Sequence, residues 1–257
     1  MTPANDSQRP GLFNRREAIA AAGVLGAGAG AWALLRGGGS RPAPRLATTP
    51  AASVGSPPAA GAARMCVLSP EVTEGPYYIA SHLTRRNITE GLPGLPLALR
   101  ITVVDAGTCK PIRGADVEVW HANASGVYSG FGGGGPPSGG GPDNAKRFLR
   151  GHQRSDARGG VLFDTIYPGW YPGRSPHIHV KAHVGGRVVH TGQIFFSDAT
   201  SDAIYRSGAY RPHGQPDTTN QDDGIFRQAG GARARAHLTR RRGAGGYTGR
   251  IVLGLRA

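Results

Sequence analysis

From Leu97 onward, the alternation of apolar and polar positions predicts β structure. Leu97, Leu99, Ile101 and Val103 alternate with Ala98, Arg100, Thr102 and Val104, the period-two pattern of a half-buried strand. Residues 105–108 break that strand, and 111–114 supply a further turn. In the next strand Val117, Val119 and His121 share one face, with Glu118 and Trp120 on the other. A strand over 160–166 follows the turn at 156–159, and further strands are expected over 177–184, 188–196 and 251–255. No long amphipathic helix emerges; residues 201–206 read as one short helical turn. Short strands punctuated by Gly and Pro turns predict an all-β sandwich of mostly antiparallel strands.

The ends of the chain follow a different logic. Residues 1–36 hold the pair Arg15-Arg16 followed by an uncharged, Ala- and Gly-rich run from Ala18 to Leu35, which reads as a twin-arginine export signal. The alternative is a signal-anchor, although the run is weakly apolar and borderline in length for a membrane span. Residues 37–65 are rich in Pro, Ala, Gly, Ser and Thr. With little apolar surface to bury, they are expected to form a disordered linker. The folded domain is expected over 66–257, and the protein is expected to be exported, to the cell surface, the periplasm or beyond. In such a compartment Cys66 and Cys109 read as a disulfide, with two buried free thiols as the alternative. The Gly/Pro-rich loop at 130–142 reads as a mobile surface loop or a lip over a site that starts at Tyr128.

Charge narrows the function classes. The formal net charge is +14, yet residues 66–226 carry fifteen Lys/Arg against fourteen Asp/Glu, while 227–257 hold eight Arg and no acid. The central region is nearly neutral and shows no basic stripe interleaved with aromatics, so a nucleic-acid partner is not expected. The Arg-rich tail reads as a solvated face or as a surface attracted to acidic polymers.

The chemistry concentrates in two places. His177 and His179, one residue apart with Val180 and Ala182 continuing an apolar alternation, lie on one side of an extended strand. Their imidazoles can reach one point, which suits zinc, copper, iron or nickel. Tyr128 and Tyr171 stand in the flanking segments. A phenolate is a hard anionic ligand whose pKa of about 10 must be lowered by the metal's charge, and ferric iron does this best. A zinc hydrolase is disfavoured, because no carboxylate ligand or base accompanies the histidines.

Four segments carry a family resemblance: Trp-x-Ala-Asn-x-x-Gly-x-Tyr ending at Tyr128, Pro-Gly-x-Tyr-Pro ending at Pro172, Arg-x-x-His-Ile-His from Arg174 to His179, and Gln193 within Thr-Gly-Gln-Ile-Phe-Phe. Their order resembles that of the intradiol ring-cleavage dioxygenases, the group of protocatechuate and catechol dioxygenases, over residues 66–226. The resemblance implies a non-haem Fe(III) enzyme that cleaves a catechol between its two hydroxylated carbons with dioxygen. Tyr128 and Tyr171 then resemble the equatorial and axial tyrosinates, and His177 and His179 the equatorial and axial histidines. Arg174 resembles the arginine that stabilises charge on the bound ring, and Gln193 an amide behind the ligands. Tyr77 and Tyr78, after Thr73-Glu74-Gly75-Pro76, resemble residues at the mouth of the site. Only five residues separate Tyr171 from His177, fewer than in protocatechuate dioxygenases, so the pocket wall is expected to differ. The alternative function is a non-catalytic sandwich module binding aromatic or carbohydrate polymers. The expected partners are a small aromatic diol, dioxygen and the twin-arginine export machinery; a homo-oligomer is compatible with the sequence.

Overall fold

The computed structural model describes residues 66–132, 144–243 and 245–257. The expectations for 1–36, for 37–65 and for most of the 130–142 loop fall outside these residues. Eight strands form two four-stranded sheets. The first has the order β4-β1-β8-β7, built from β1 (Pro96–Asp105), β4 (Gly160–Ile166), β7 (His237–Arg240) and β8 (Tyr247–Leu255). The second has the order β3-β2-β5-β6, built from β2 (Asp116–Trp120), β3 (Arg150–Arg154), β5 (His177–Val184) and β6 (Arg187–Phe195). All neighbours are antiparallel except β1 and β8, which run parallel. The expected all-β sandwich is the observed fold.

The interior is the product of alternation on both sheets. Leu97, Leu99, Ile101, Val103 and Phe163 from the first sheet meet Val117, Val119, Ile178, Val180, Ala182 and Ile194 from the second in one buried cluster. Each of the Val, Leu, Ile and Phe side chains among them contributes about 1.5–3 kcal/mol on leaving water. One polar pair sits among them: His121 lies 2.9 Å through Nδ1 from the Ala122 carbonyl and 2.7 Å through Nε2 from Thr165 Oγ1. A carbonyl only accepts, so Nδ1 carries the proton and Nε2 accepts from the hydroxyl.

Inward-facing apolar residues leave the alternate positions pointing outward. On the second sheet, register places Arg150, Trp120, His179 and Gln193 side by side in one outward row, and His152, Glu118, Lys181 and Thr191 in the next. The chain upstream of β1 then crosses this outer face from edge to edge. Val72 N–H bonds Thr191 O on β6 (3.0 Å), Lys181 on β5 donates to Glu74, Tyr78 Oη donates to Glu118 on β2 (3.1 Å), and Arg85 N–H bonds His152 O on β3 (3.2 Å). One continuous segment therefore roofs all four strands of the second sheet.

Some elements differ from expectation. β3 and β7 carry no apolar alternation and were not expected; they are edge strands held by main-chain pairing to β2 and β8. β8 begins at Tyr247 rather than at residue 251, because its pairing with β1 extends to Leu97. The expected helical turn is α1 (Asp198–Tyr205), capped by the Ser197 side chain accepting from Thr200 N–H. A second short helix, α2 (Gly224–Gln228), is capped by Asp223. Cys66 and Cys109 are paired as a disulfide, joining the first described residue to the turn after β1.

Candidate metal centre

Tyr128 and Tyr171 reach the same point because two loops pack backbone against backbone. After β2, the Asn123 side chain accepts from Ser125 N–H and Val127 N–H, both at 3.0 Å, folding the chain into a tight turn. Gly126 in that turn has φ +78°, and a Cβ there would sit 2.1 Å from the Trp170 carbonyl oxygen. A Cβ on Gly169 would sit 1.9 Å from the Asn123 carbonyl oxygen. Only glycine permits either approach, so the Gly positions of both tyrosine motifs have a steric cause.

The two phenols and the two imidazoles converge beside β5. Tyr128 Oη lies 3.1 Å from His179 Nε2 and 3.4 Å from His177 Nε2; Tyr171 Oη lies 3.3 Å from His177 Nε2; the two Nε2 atoms are 3.2 Å apart. The two imidazoles are oriented by different means. His177 Nδ1 donates to Ser175 O at 2.7 Å, which leaves the Nε2 lone pair facing its neighbours. His179 Nδ1 is buried with no hydrogen-bond partner among the described residues. Its ring is held instead by stacking on Trp120, 4.8 Å between centroids and 9° from parallel.

Burial favours the neutral form of all four groups. Burial pushes the Tyr128 phenol well above its usual range, and the nearby Tyr171 adds to this. Burial also raises Tyr171, against the pull of Arg174. Burial drives both histidines well below their usual value, helped by Arg174 at His177 and by His177 at His179. Two neutral imidazoles therefore offer lone pairs beside two phenols whose deprotonation needs a positive centre. Metal–nitrogen bonds of about 2.0–2.1 Å place neighbouring ligand atoms about 2.9–3.4 Å apart, and the observed spacings fall in that range. The residues fit a hard, strongly charged transition-metal ion. Among the described residues no group of three or more His, Cys, Asp or Glu side chains could hold a metal ion; this set mixes two imidazoles with two phenols.

Arg174 borders the cluster. It donates through Nη1 to Tyr171 Oη (3.2 Å), through Nη2 to Gln193 Oε1, and through Nε to Asp223 (3.0 Å). Gln193 in turn donates to Thr73 O in the roof at 3.2 Å. Tyr77 stacks on Tyr128, 4.3 Å between centroids and 6° from parallel, and burial followed by the nearby Tyr171 pushes its phenol up to about 12. Tyr78 lies farther off, edge-on to Trp120 and beneath Lys181 Nζ, which stands 3.6 Å from its ring centre.

Two further residues lay beyond sequence reasoning. Arg150, buried on the unexpected strand β3, donates through Nε and Nη2 to Ser129 Oγ and O at 2.9 and 2.8 Å, gripping the residue after Tyr128. Burial pushes its guanidinium down to about 10. Asp223 binds Arg174, and nothing in the sequence separates it from the adjacent Asp222. A cavity of about 460 Å³, lined by Leu95, Pro96, Ile204, Tyr210, Arg240 and Tyr247 among others, includes none of Tyr128, Tyr171, His177 and His179.

A family model described as Dioxygenase matches residues 73–200. An intradiol ring-cleavage dioxygenase from Tetranychus urticae is 38% identical, superposes with a TM-score of 0.68, and the alignment covers 74% of this chain and 95% of that one. The dioxygenase domain of a carbohydrate-binding fusion protein from Streptomyces sp. SirexAA-E is 30% identical, with a TM-score of 0.53 and coverage of 73% and 97%. Catechol 1,2-dioxygenase 1 of Acinetobacter lwoffii is 32% identical over 142 residues, 51% of this chain but 43% of that relative, so the chain matches less than half of its length. With nearly all of the Tetranychus urticae protein matched at an identity well above fold-level likeness, the chain belongs to the intradiol ring-cleavage dioxygenase family.

Proposed function

We propose that the protein is a non-haem iron(III) dioxygenase that opens a catechol-type ring between its two hydroxylated carbons. One aromatic diol and one dioxygen give a muconate-type diacid, both oxygen atoms entering the product. The observation that carries this reading is the convergence of Tyr128, Tyr171, His177 and His179 within 3.1–3.4 Å on a buried face. These four residues would hold the iron. Bound there, ferric iron would supply Lewis acidity that favours the doubly deprotonated diol and draws electron density from its ring.

The chain's own residues supply the rest. Tyr171 Oη, which burial makes a good proton acceptor once it is anionic, would take one of the diol's protons. The Arg174 guanidinium, 3.2 Å from that oxygen, would stabilise negative charge spreading onto the ring, where a fixed charge in a water-poor site acts most strongly. Gln193 would hold Arg174 in place through its carbonyl oxygen, and Tyr77 would wall the site beside Tyr128. Conversion of small diols is the proposed activity.

Loading the protein with ferric iron tests this. The expected result is a red-brown colour from phenolate-to-metal charge transfer, lost or bleached in Tyr128→Phe, together with a muconate-type ultraviolet absorbance from catechol. Colourless, metal-free protein, or full iron with no product from simple catechols, would overturn the enzyme in favour of a binding module. We further propose export of the protein through the twin-arginine route, supported by Arg15-Arg16 and by the paired cysteines. Lys-Lys in place of that pair is expected to retain the protein inside the cell, and undiminished export would remove the proposal.

A further inference from the structure

The geometry points to Asp223 as the residue that positions Arg174 in the site, an assignment that rests on the dioxygenase reading. Its carboxylate is 1% exposed. Oδ2 accepts from Arg174 Nε at 3.0 Å and from both the backbone N–H and the hydroxyl of Ser175 at 3.1 Å. Oδ1 accepts from Ile225 N–H at 2.8 Å and Phe226 N–H at 3.3 Å, the first turn of α2. The Ser175 carbonyl is the group that fixes the His177 ring through Nδ1. One carboxylate thus ties the start of a helix and the Ser175 backbone to the Arg174 guanidinium.

All five groups around the Asp223 carboxylate present hydrogens to it, and its two oxygens accept them all. An amide of the same shape must turn an NH₂ toward one set, so Asp223→Asn gives up either the cap of α2 or the Arg174–Ser175 set. In both orientations Arg174 loses its negative partner, and the side chain of this arginine is only 15% exposed. The neighbouring Asp222 shares none of this: it is exposed and accepts from Thr219 Oγ1 at 2.6 Å. Because Asn is itself a good helix cap, the substitution tests placement of the guanidinium more than the presence of α2.

The experiment compares wild type, Asp223→Asn, Arg174→Ala and the double variant, as full chains loaded with ferric iron. Three readouts are taken: melting temperature, kcat and KM for catechol, and oxygen-free titration with 4-nitrocatechol followed by its visible spectrum. Displacement of a group next to the reacting atoms costs on the order of 10²-fold. Asp223→Asn is therefore expected to keep its fold and iron and to lower kcat about 10–100-fold while KM moves less than about threefold. The double variant should be no slower than Arg174→Ala alone, because Asp223 acts through Arg174. Losses that multiply in the double variant, or an Asp223→Asn enzyme within about twofold of wild type, would overturn the assignment while leaving the dioxygenase reading intact. An Arg174→Ala enzyme of normal rate would leave Asp223 nothing to position and would also overturn it. If wild type takes up iron but releases no product, the dioxygenase reading fails on its own. The 4-nitrocatechol affinities of the four proteins then decide the coupling, additive changes counting against it. A chain that takes up no iron sinks both.

Discussion

Across the outer face of the first sheet, Leu162, Arg100, Arg250 and His237 stand in one cross-strand row, and its three basic members are exposed. Across the second sheet, Arg150, Trp120, His179 and Gln193 stand in a comparable row, and all four are buried. Both rows arise from the same period-two pattern and both are rich in polar groups. The difference is that residues 71–85 cross the second face and leave the first open. Covering strips water from the side chains beneath, which drives phenols up and imidazoles down in pKa and makes a charged partner such as a metal ion the group that completes the site. Reactivity in this fold is made by desolvation of a sheet face, while the sandwich interior supplies rigidity.

The comparison can be broken most severely from the interior that both faces share. Phe163→Ala removes a fully buried ring from the core and is expected to cost about 3–5 kcal/mol. Denaturant unfolding should show the loss in the iron-free protein as well; a loss confined to iron binding would contradict the division between core and site.

Untying the start of the roof is the next largest change. Replacing Cys66 and Cys109 with Ala is expected to cost about 2–4 kcal/mol, checked by denaturant unfolding beside a thiol titration of the unreduced wild type that should find none free. Two titratable thiols in exported protein would remove the bond.

Acid sharpens the picture at the seam between the sheets. Burial pushes the His121 imidazole down from 6.5 to about 4, so it stays neutral in the fold while the unfolded chain protonates first. Stability is therefore lost as pH falls below about 6.5, the loss being complete below about 4 and amounting to about 3 kcal/mol. His121→Gln should lower stability at neutral pH and lose about 2–3 kcal/mol less than wild type between pH 7 and pH 4.5; parallel acid curves for the two proteins would remove His121 as the cause.

The smallest effect belongs to the open face. Arg100→Ser and Arg250→Ser are expected to change stability by no more than about 0.5 kcal/mol and to leave diol turnover untouched. A large loss in either would show that this face is covered in the working protein.

The sequence made the apolar strands visible because β1, β2, β4, β5 and β6 each turn a regular set of side chains into the core. It was silent on β3 and β7, whose stability comes from main-chain pairing that no side-chain pattern records. The roof was partly hidden: the family-like segment brought Tyr77 and Tyr78 toward the site, but Val72 and Arg85 are ordinary residues until the fold bonds them to the two edges of the second sheet. The motif residues were legible because their chemistry is unusual for their spacing, and the glycines among them proved to have a packing cause. Asp223 could not be distinguished from Asp222, since only tertiary structure buries one and leaves the other in water.

The way the chain enters the domain has a mechanical consequence. Cys66 is bonded to the turn after β1, and Ser69 exchanges hydrogen bonds with Gly254 on β8, its N–H donating to that carbonyl at 2.8 Å and its Oγ accepting from that N–H at 3.1 Å. Both attachments precede the first residue of the roof. Tension arriving along the chain from residue 65 is thus delivered into the first sheet, and the segment over the ligating residues lies downstream of the load. A pull on the leading end meets covalent and strand-like anchors before it can lift Glu74 or Tyr77, so the first sheet takes the load ahead of the roof.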